Sequence, residues 1–112
     1  MIRDRLFLLP PGFASRGERQ YCPECAEVWG LLAYYPAIFH SLDVVYQPVD
    51  HPRRAIVAYL GDGAWNCPTL ILADESPDGP GVQTTTSVRF LDNARDIGRY
   101  WATLYGTAVP RS

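Results

Sequence analysis

The sequence predicts a mixed α/β domain with elements in the order β-α-β-α-β-β-α, and three observations lead to this class. A chain of 112 residues suits one domain around one core. Apolar residues make up 47% of it, enough for a packed interior and too many for a disordered chain. Short apolar runs alternate with segments of helical periodicity, which is typical of βαβ units with right-handed crossovers. We therefore expect residues 1–112 to form a single domain.

The first half of the chain supplies one βαβ unit. Leu6–Leu9 is a short apolar run before a Pro-Pro-Gly turn, as in a buried strand. The polar residues from Ala14 to Gln20 are expected to form a loop. A helix is predicted from Pro23, because apolar residues recur there at alternating spacings of three and four, and Pro36 should end or bend it. Leu42–Tyr46 is the second predicted strand.

The second half of the chain adds a helix, two strands and a last helix. Pro52–Leu60 reads as a helix that Pro52 begins. Thr69–Ala73 and Ser87–Leu91 read as strands with no helix between them, which predicts an antiparallel pair. Asp92 is suited to cap a helix that ends at Tyr105. Together the elements predict a mixed four-stranded sheet with helices on both faces.

Composition excludes several classes of function. The net charge of −2 gives no reason to expect a nucleic acid or an anionic membrane as a partner. No stretch approaches the length of a membrane span, and the apolar run near the N-terminus is too short for a signal peptide. Three cysteines are too few for a disulfide scaffold. We therefore expect a cytoplasmic protein, whose oligomeric state the sequence does not indicate.

The residues with the strongest chemical signal form the motif CPEC, Cys22 to Cys25. Cys22 directly precedes the predicted helix, where free N–H groups and the positive end of the helix dipole would stabilise a thiolate. Cys25 falls one turn later on the apolar face and should be buried. Disulfide exchange needs this asymmetry, because one sulfur attacks and the other resolves the mixed disulfide.

Three interpretations of the motif remain open at this stage. The pair could be a redox dithiol, an inert pair, or part of a metal site completed by Cys67. A second CxxC motif is missing, which weakens the metal interpretation. Free cysteines such as Cys67 also often pack simply as small apolar residues.

The whole chain resembles the thioredoxin superfamily, in which a CxxC opens a helix after the first strand and a cis-proline precedes the third strand. Pro68, before Thr69, stands at that position, and we expect its peptide bond to be cis. CPEC is similar to the CPYC of glutaredoxins. The last helix resembles that of glutathione-transferase N-terminal domains, where a Gln/Glu-Ser pair holds the γ-glutamyl end of glutathione; here that pair corresponds to Asn93-Ala94.

A second resemblance rests on short motifs spread over most of the chain, which are Arg3-Asp4, Leu6 to Leu9, Pro11 to Phe13, Tyr21 to Pro23, Cys25, Gly30 to Leu32, Pro52-Arg53 and Pro68. In these residues the chain resembles an uncharacterised bacterial family known as domain of unknown function 3088. The resemblance implies a thioredoxin-like fold.

These resemblances imply a thiol–disulfide oxidoreductase acting on a protein or small-molecule disulfide, with Cys22 as nucleophile and Cys25 as resolving thiol. Pro68 would align the substrate, with Tyr21, Pro23 and Cys67 beside it. No metal or other cofactor is expected, and glutathione is a candidate co-substrate. The serine hydroxyl of the transferase pair is missing, so Asp92, Asn93 and the helix N-terminus would have to replace it in part. The alternative is a non-catalytic binding module that holds a metal through Cys22, Cys25 and Cys67.

Overall fold

The computed structural model describes residues 2–85 and 87–112, which form seven strands and four helices. They are β1 (Asp4–Leu8), β2 (Phe13–Ser15), β3 (Glu18–Gln20), α1 (Pro23–Tyr34), α2 (Pro36–His40), β4 (Leu42–Tyr46), α3 (Arg54–Leu60), β5 (Thr69–Ile71), β6 (Gln83–Thr84), β7 (Arg89–Leu91) and α4 (Ala94–Tyr105). None of the helices in these residues is long and apolar enough to cross a membrane.

Five of the strands form one mixed sheet in the order β4-β1-β5-β7-β6. β1 and β4 are parallel, and β5 and β7 are antiparallel, as the sequence predicts. The prediction of four strands is wrong, because β6 adds a fifth strand at the outer edge of β7. Its two residues, Gln83 and Thr84, are exposed and polar. Backbone pairing with β7 places them in the sheet, and no apolar pattern in the sequence predicts this strand.

The segment expected to be a polar loop is a hairpin instead. β2 and β3 pair antiparallel as a separate two-stranded sheet, and Ser15 lies opposite Glu18. The two residues between them, Arg16 and Gly17, have φ values of 53° and 78°. Two successive positive φ values match the right-handed twist of the flanking strands, so a two-residue connection suffices. Arg-Gly is an uncommon pair for such a turn, and the strands have no apolar alternation.

Two helix starts differ by one or two residues from the predictions. α3 begins at Arg54, because the carbonyl of Arg53 accepts its first hydrogen bonds. Asn93, not Asp92, caps α4, and its Oδ1 accepts from the N–H of Asp96 at 2.9 Å. The Asp92 carboxylate accepts from Gln83 Nε2 at 2.9 Å instead. The prediction that the first helix ends near Pro36 is confirmed, since α1 stops at Tyr34.

The central strand β1 carries the core. Leu6 and Leu8 are fully buried, and Phe7 between them is 1% exposed. Because alternate side chains of a strand point to opposite faces, both faces of the sheet are covered at this strand. On the Phe7 side, Tyr59 of α3 packs with ring centroids 6.1 Å apart. Trp101 of α4 is also buried, and α4 packs against α1.

The topology brings four chain segments to one edge of the sheet. β1 and β4 are parallel, so their carboxyl ends coincide, with Leu8 beside Tyr46. β5 runs in the opposite direction, so its first residue, Thr69, lies beside Phe7 near that edge. β7 is antiparallel to β5, so its last residue, Leu91, ends there as well, just before α4. The segments that precede α1, follow β4, precede β5 and begin α4 therefore meet at this edge.

Two glycines provide a matched test of the helix boundaries. Gly30 lies inside α1 and a Cβ there would meet no atom within 4 Å, so Gly30→Ala should raise the free energy of unfolding by about 0.5–1 kcal/mol. Gly106 ends α4 with φ of 73°, so Gly106→Ala should lower it by about 1 kcal/mol. Urea unfolding measures both. Shifts of the same sign in both variants would contradict these boundaries.

Candidate dithiol site

Cys22 is the N-cap of α1 and is half-buried. Its sulfur accepts the N–H of Cys25 at 3.1 Å, and its carbonyl accepts the N–H of Ala26 at 3.0 Å. The sulfur therefore sits against the free N–H groups and the positive end of a twelve-residue helix. Such a position stabilises negative charge on sulfur while leaving the atom open to solvent.

Cys25 lies one turn further along α1 and is 4% exposed. Its sulfur accepts the N–H of Leu9, the residue that follows β1, at 3.5 Å. Burial and the hydrogen bond with Cys22 raise the pKa of the Cys25 thiol far above its ordinary value, and the Leu9 N–H offsets only part of this. Cys25 is therefore a protonated, sheltered thiol at neutral pH, directly behind the open one.

Cys67 approaches the pair from the segment before β5. Its carbonyl oxygen accepts from the Cys22 thiol at 3.7 Å. Cys67 is 7% exposed, and burial raises the pKa of its thiol to about 11, although the positive charge of Arg53 acts in the opposite direction. The Cys67-Pro68 peptide bond is cis, as the sequence predicts. The backbone of this segment is thus the part of it that faces Cys22.

The start of α4 is tied to the two other segments of the site. The Glu24 carboxylate, from the CPEC motif, accepts the N–H of Ala94 at 3.0 Å. Asn66 donates from its amide to the carbonyl oxygen of Asp92 and, at 3.4 Å, to that of Pro68. Two polar side chains therefore set the position of α4 relative to both cysteine-bearing segments.

A buried arginine holds the loops beneath Cys67. Arg53 is 8% exposed, and its guanidinium donates to the carbonyl oxygens of Pro48, Val49 and Trp65 at 2.9, 2.8 and 2.8 Å. These bonds join the loop after β4 to the loop before β5. The arrangement explains why a charged side chain is tolerated there, since three carbonyls satisfy it.

An apolar groove of about 330 Å³ opens beside both thiols. We call it the dithiol groove. In the part of the chain that the structure describes, no charged side chain lines it. Its walls are Leu9, Pro10, Pro11, Tyr21, Ala26, Trp29 and Tyr46, with Cys22 and Cys25 at one side. Tyr21 and Tyr46 are 63% and 46% exposed, so aromatic surface is presented to solvent next to the sulfur atoms.

A family model matches residues 3–109 of the chain. The chain belongs to the family described as "Protein of unknown function (DUF3088)". No curated protein and no solved structure matches the chain. The resemblance to the DUF3088 family inferred from the sequence is thus confirmed over nearly the whole chain, while the family description assigns no activity.

Most of the site residues predicted from this DUF3088 sequence lie around the dithiol. Cys22 and Cys25 form its centre, Tyr21 lines the dithiol groove, and Pro23 is the exposed first residue of α1. Cys67 reaches it through its carbonyl oxygen. Asp92 and Asn93 lie at the start of α4, which is linked to the motif by the hydrogen bond from the Ala94 N–H to Glu24. Residues 2–85 and 87–112 contain no group of three or more His, Cys, Asp or Glu side chains that could hold a metal ion.

Sequence reasoning missed three residues that position this DUF3088 site. Glu24, Asn66 and Arg53 all act over long sequence separations, with partners 70, 26 and 12 residues away in the chain. No local pattern marks such contacts. The only signal for Arg53 was its place in the family resemblance, and the only one for Glu24 was its position inside CPEC.

Proposed function

We propose that the protein is a thiol–disulfide oxidoreductase with a thioredoxin-like fold, and that Cys22 and Cys25 are its catalytic residues. The observation that carries the proposal is the asymmetry of the pair. Cys22 is half-buried at a helix N-terminus and accepts an N–H at 3.1 Å, whereas Cys25 is buried behind it. An inert pair of core cysteines would have no reason to present one sulfur at a helix end.

The proposed reaction consists of two exchanges. The Cys22 thiolate attacks one sulfur of a disulfide R–S–S–R, forming a Cys22–S–S–R bond and releasing R–S⁻, which takes up a proton. Cys25 then loses its proton and attacks Cys22 Sγ, closing the Cys22–Cys25 disulfide and releasing the second R–S⁻. The protein dithiol loses two electrons and two protons, and the substrate becomes two thiols. A dithiol reductant returns the protein to the reduced state, in which both cysteines are free.

Each thiol has a neighbour suited to its step. The Cys25 N–H and the start of α1 stabilise the Cys22 thiolate before it attacks the substrate. They also stabilise negative charge that develops on Cys22 Sγ when Cys25 attacks it in the second exchange. The Leu9 N–H, at 3.5 Å, is in place to stabilise negative charge on Cys25 when it acts. The Cys67 carbonyl lies next to Cys22, where it can accept a hydrogen bond from the backbone of a bound substrate.

The order of the elements supports the thioredoxin-like part of the proposal. The CPEC motif opens α1 after β1, β4 then pairs parallel with β1, and β5 and β7 follow as antiparallel strands before α4. β6 and the β2–β3 hairpin are additions to that order and lie outside the dithiol itself.

Alkylation of the reduced protein tests the proposal. At neutral pH iodoacetamide should modify Cys22 at least about ten times faster than Cys67, because burial keeps Cys67 protonated with a pKa of about 11. Peptide mass spectrometry over a time course gives the three rates separately. Equal, slow modification of all three cysteines would refute an activated nucleophile, and bound zinc or iron in the purified protein would favour the binding-module alternative.

A further inference from the structure

Two features near Cys22 differ in their electrostatic character. The dithiol groove has apolar and aromatic walls among the described residues. The start of α4, which Glu24 of the CPEC motif contacts, has an N–H at Ala94 that would be free to bind an anion, were it not for Glu24. The Glu24 carboxylate already accepts that N–H at 3.0 Å. Asp92 and Asp96 lie within two residues of Ala94 and add negative charge there, while the one basic residue of this stretch, Arg95, donates to the carbonyl oxygen of Arg111.

An anionic thiol compound therefore meets an occupied and negatively charged helix start. To place a carboxylate at the Ala94 N–H it would have to displace Glu24 from its hydrogen bond, and the displaced carboxylate would remain nearby as a like charge. A second N–H of the first turn, that of Asp96, is used as well, because it donates to Asn93 Oδ1 at 2.9 Å. This face of the site offers little to an acidic ligand.

The dithiol groove, in contrast, offers an uncharged ligand a place to bind. Its volume of about 330 Å³ lies at the lower end of the range for small-molecule pockets and fits one aromatic ring or short aliphatic group. Cys22 and Cys25 form part of its wall, so a group bound there stands next to both sulfur atoms. Tyr21, Trp29 and Tyr46 supply the aromatic surface for the contact.

We propose that the Cys22–Cys25 pair acts on small uncharged disulfides whose organic group is apolar and binds in the dithiol groove, and that Glu24 discriminates against anionic disulfides. This rests on the function proposed above and names its substrate class. The chemistry is the same exchange: Cys22 Sγ bonds to one substrate sulfur, and the other leaves as a thiolate. Glu24 acts by its charge and its hydrogen bond to Ala94, and takes no part in the exchange itself.

Two aromatic disulfide probes, one uncharged and one anionic, test this in the Cys25→Ser variant, in which each exchange at Cys22 releases one light-absorbing product, a thiopyridone or a nitrothiobenzoate. Dithiodipyridine is uncharged, and dithiobis(nitrobenzoate) is anionic. Each rate is divided by the rate of the same probe with free N-acetylcysteine amide. We expect the normalised rate with the uncharged probe to exceed that with the anionic probe by about tenfold or more.

Glu24→Gln isolates the charge, because the amide oxygen of glutamine can still accept the Ala94 N–H. In this variant the normalised rate with the anionic probe should rise about three- to tenfold, with a smaller change for the uncharged probe.

Ala26→Phe tests the groove, because the larger side chain should fill it. We expect the ratio of the rate with dithiodipyridine to the rate with iodoacetamide to fall about tenfold. Ala33→Phe, exposed on the same helix outside the groove, is the matched control and should change this ratio less than twofold.

The possible results separate the two proposals. If Cys22 reacts readily with iodoacetamide but shows equal normalised rates with both probes, or if Glu24→Gln leaves their ratio unchanged, the substrate class is wrong and the oxidoreductase proposal stands. If Cys22 fails to react with iodoacetamide and with both probes, both proposals are overturned. A high ratio that falls in Glu24→Gln supports the inference.

Discussion

Replacing Cys25 by serine should stop the reaction after the first exchange and leave the substrate attached to Cys22. With the resolving thiol gone, the mixed disulfide has no intramolecular partner to displace it. Intact mass spectrometry should then show one substrate thiol bound per protein. Cys22→Ser should form no such adduct and should lower turnover by about three orders of magnitude or more, as for loss of a catalytic nucleophile. Cys67→Ser, which removes the remaining thiol and leaves the Cys67 backbone carbonyl in place, is the matched control and should still turn over.

The pH dependence of the second exchange provides an independent check. Burial raises the pKa of Cys25 well above neutrality, so at pH 6–8 only a small fraction is thiolate. Below its pKa this fraction grows about tenfold for each pH unit, and the rate of closing the disulfide should grow with it. Stopped-flow release of the second thiol measures that rate. A rate independent of pH across this range would mean that Cys25 is not the thiol that resolves the intermediate. For the first exchange, a substrate adduct on the Cys22→Ser variant would mean that another cysteine attacks the disulfide.

Replacing Arg53 by methionine should destabilise the protein by about 3 kcal/mol or more. The guanidinium donates three hydrogen bonds to the carbonyls of Pro48, Val49 and Trp65, and methionine would leave those acceptors without their donor. Hydrogen bonds from charged donors are worth about 1.5–3 kcal/mol each, although the losses overlap. Urea unfolding gives the change in the free energy of unfolding.

Arg54 offers the matched control for this variant. It is the neighbouring arginine, exposed at the start of α3, and Arg54→Met should change the free energy of unfolding by no more than about 0.5 kcal/mol. A loss below about 1 kcal/mol in Arg53→Met, or equal losses in both variants, would show that the three contacts do not hold the loops.

The order of the major elements could be predicted because each has a local cause. Apolar runs such as Leu6–Leu9 must be buried, and a proline at the start of α1 and a glycine at the end of α4 mark helix boundaries by their backbone geometry. The placement of Cys22 at the N-cap of α1 followed from the same signals. The features that were not predicted lack such local signals. β6 consists of two exposed polar residues, and the β2–β3 hairpin turns at Arg16 and Gly17 and has no apolar alternation.

What the sequence determined by itself was the family, the alternation of strands and helices, and the presence of an open and a sheltered cysteine in one motif. Only the tertiary structure decided what surrounds that motif. The bonds from Glu24 to Ala94 and from Arg53 to Trp65, and the meeting of Leu9, Trp29 and Tyr46 around the groove, join residues far apart in the chain. Such contacts depend on how the strands are ordered in the sheet, and strand order is set by burial of the whole core, for which no short stretch of sequence is sufficient.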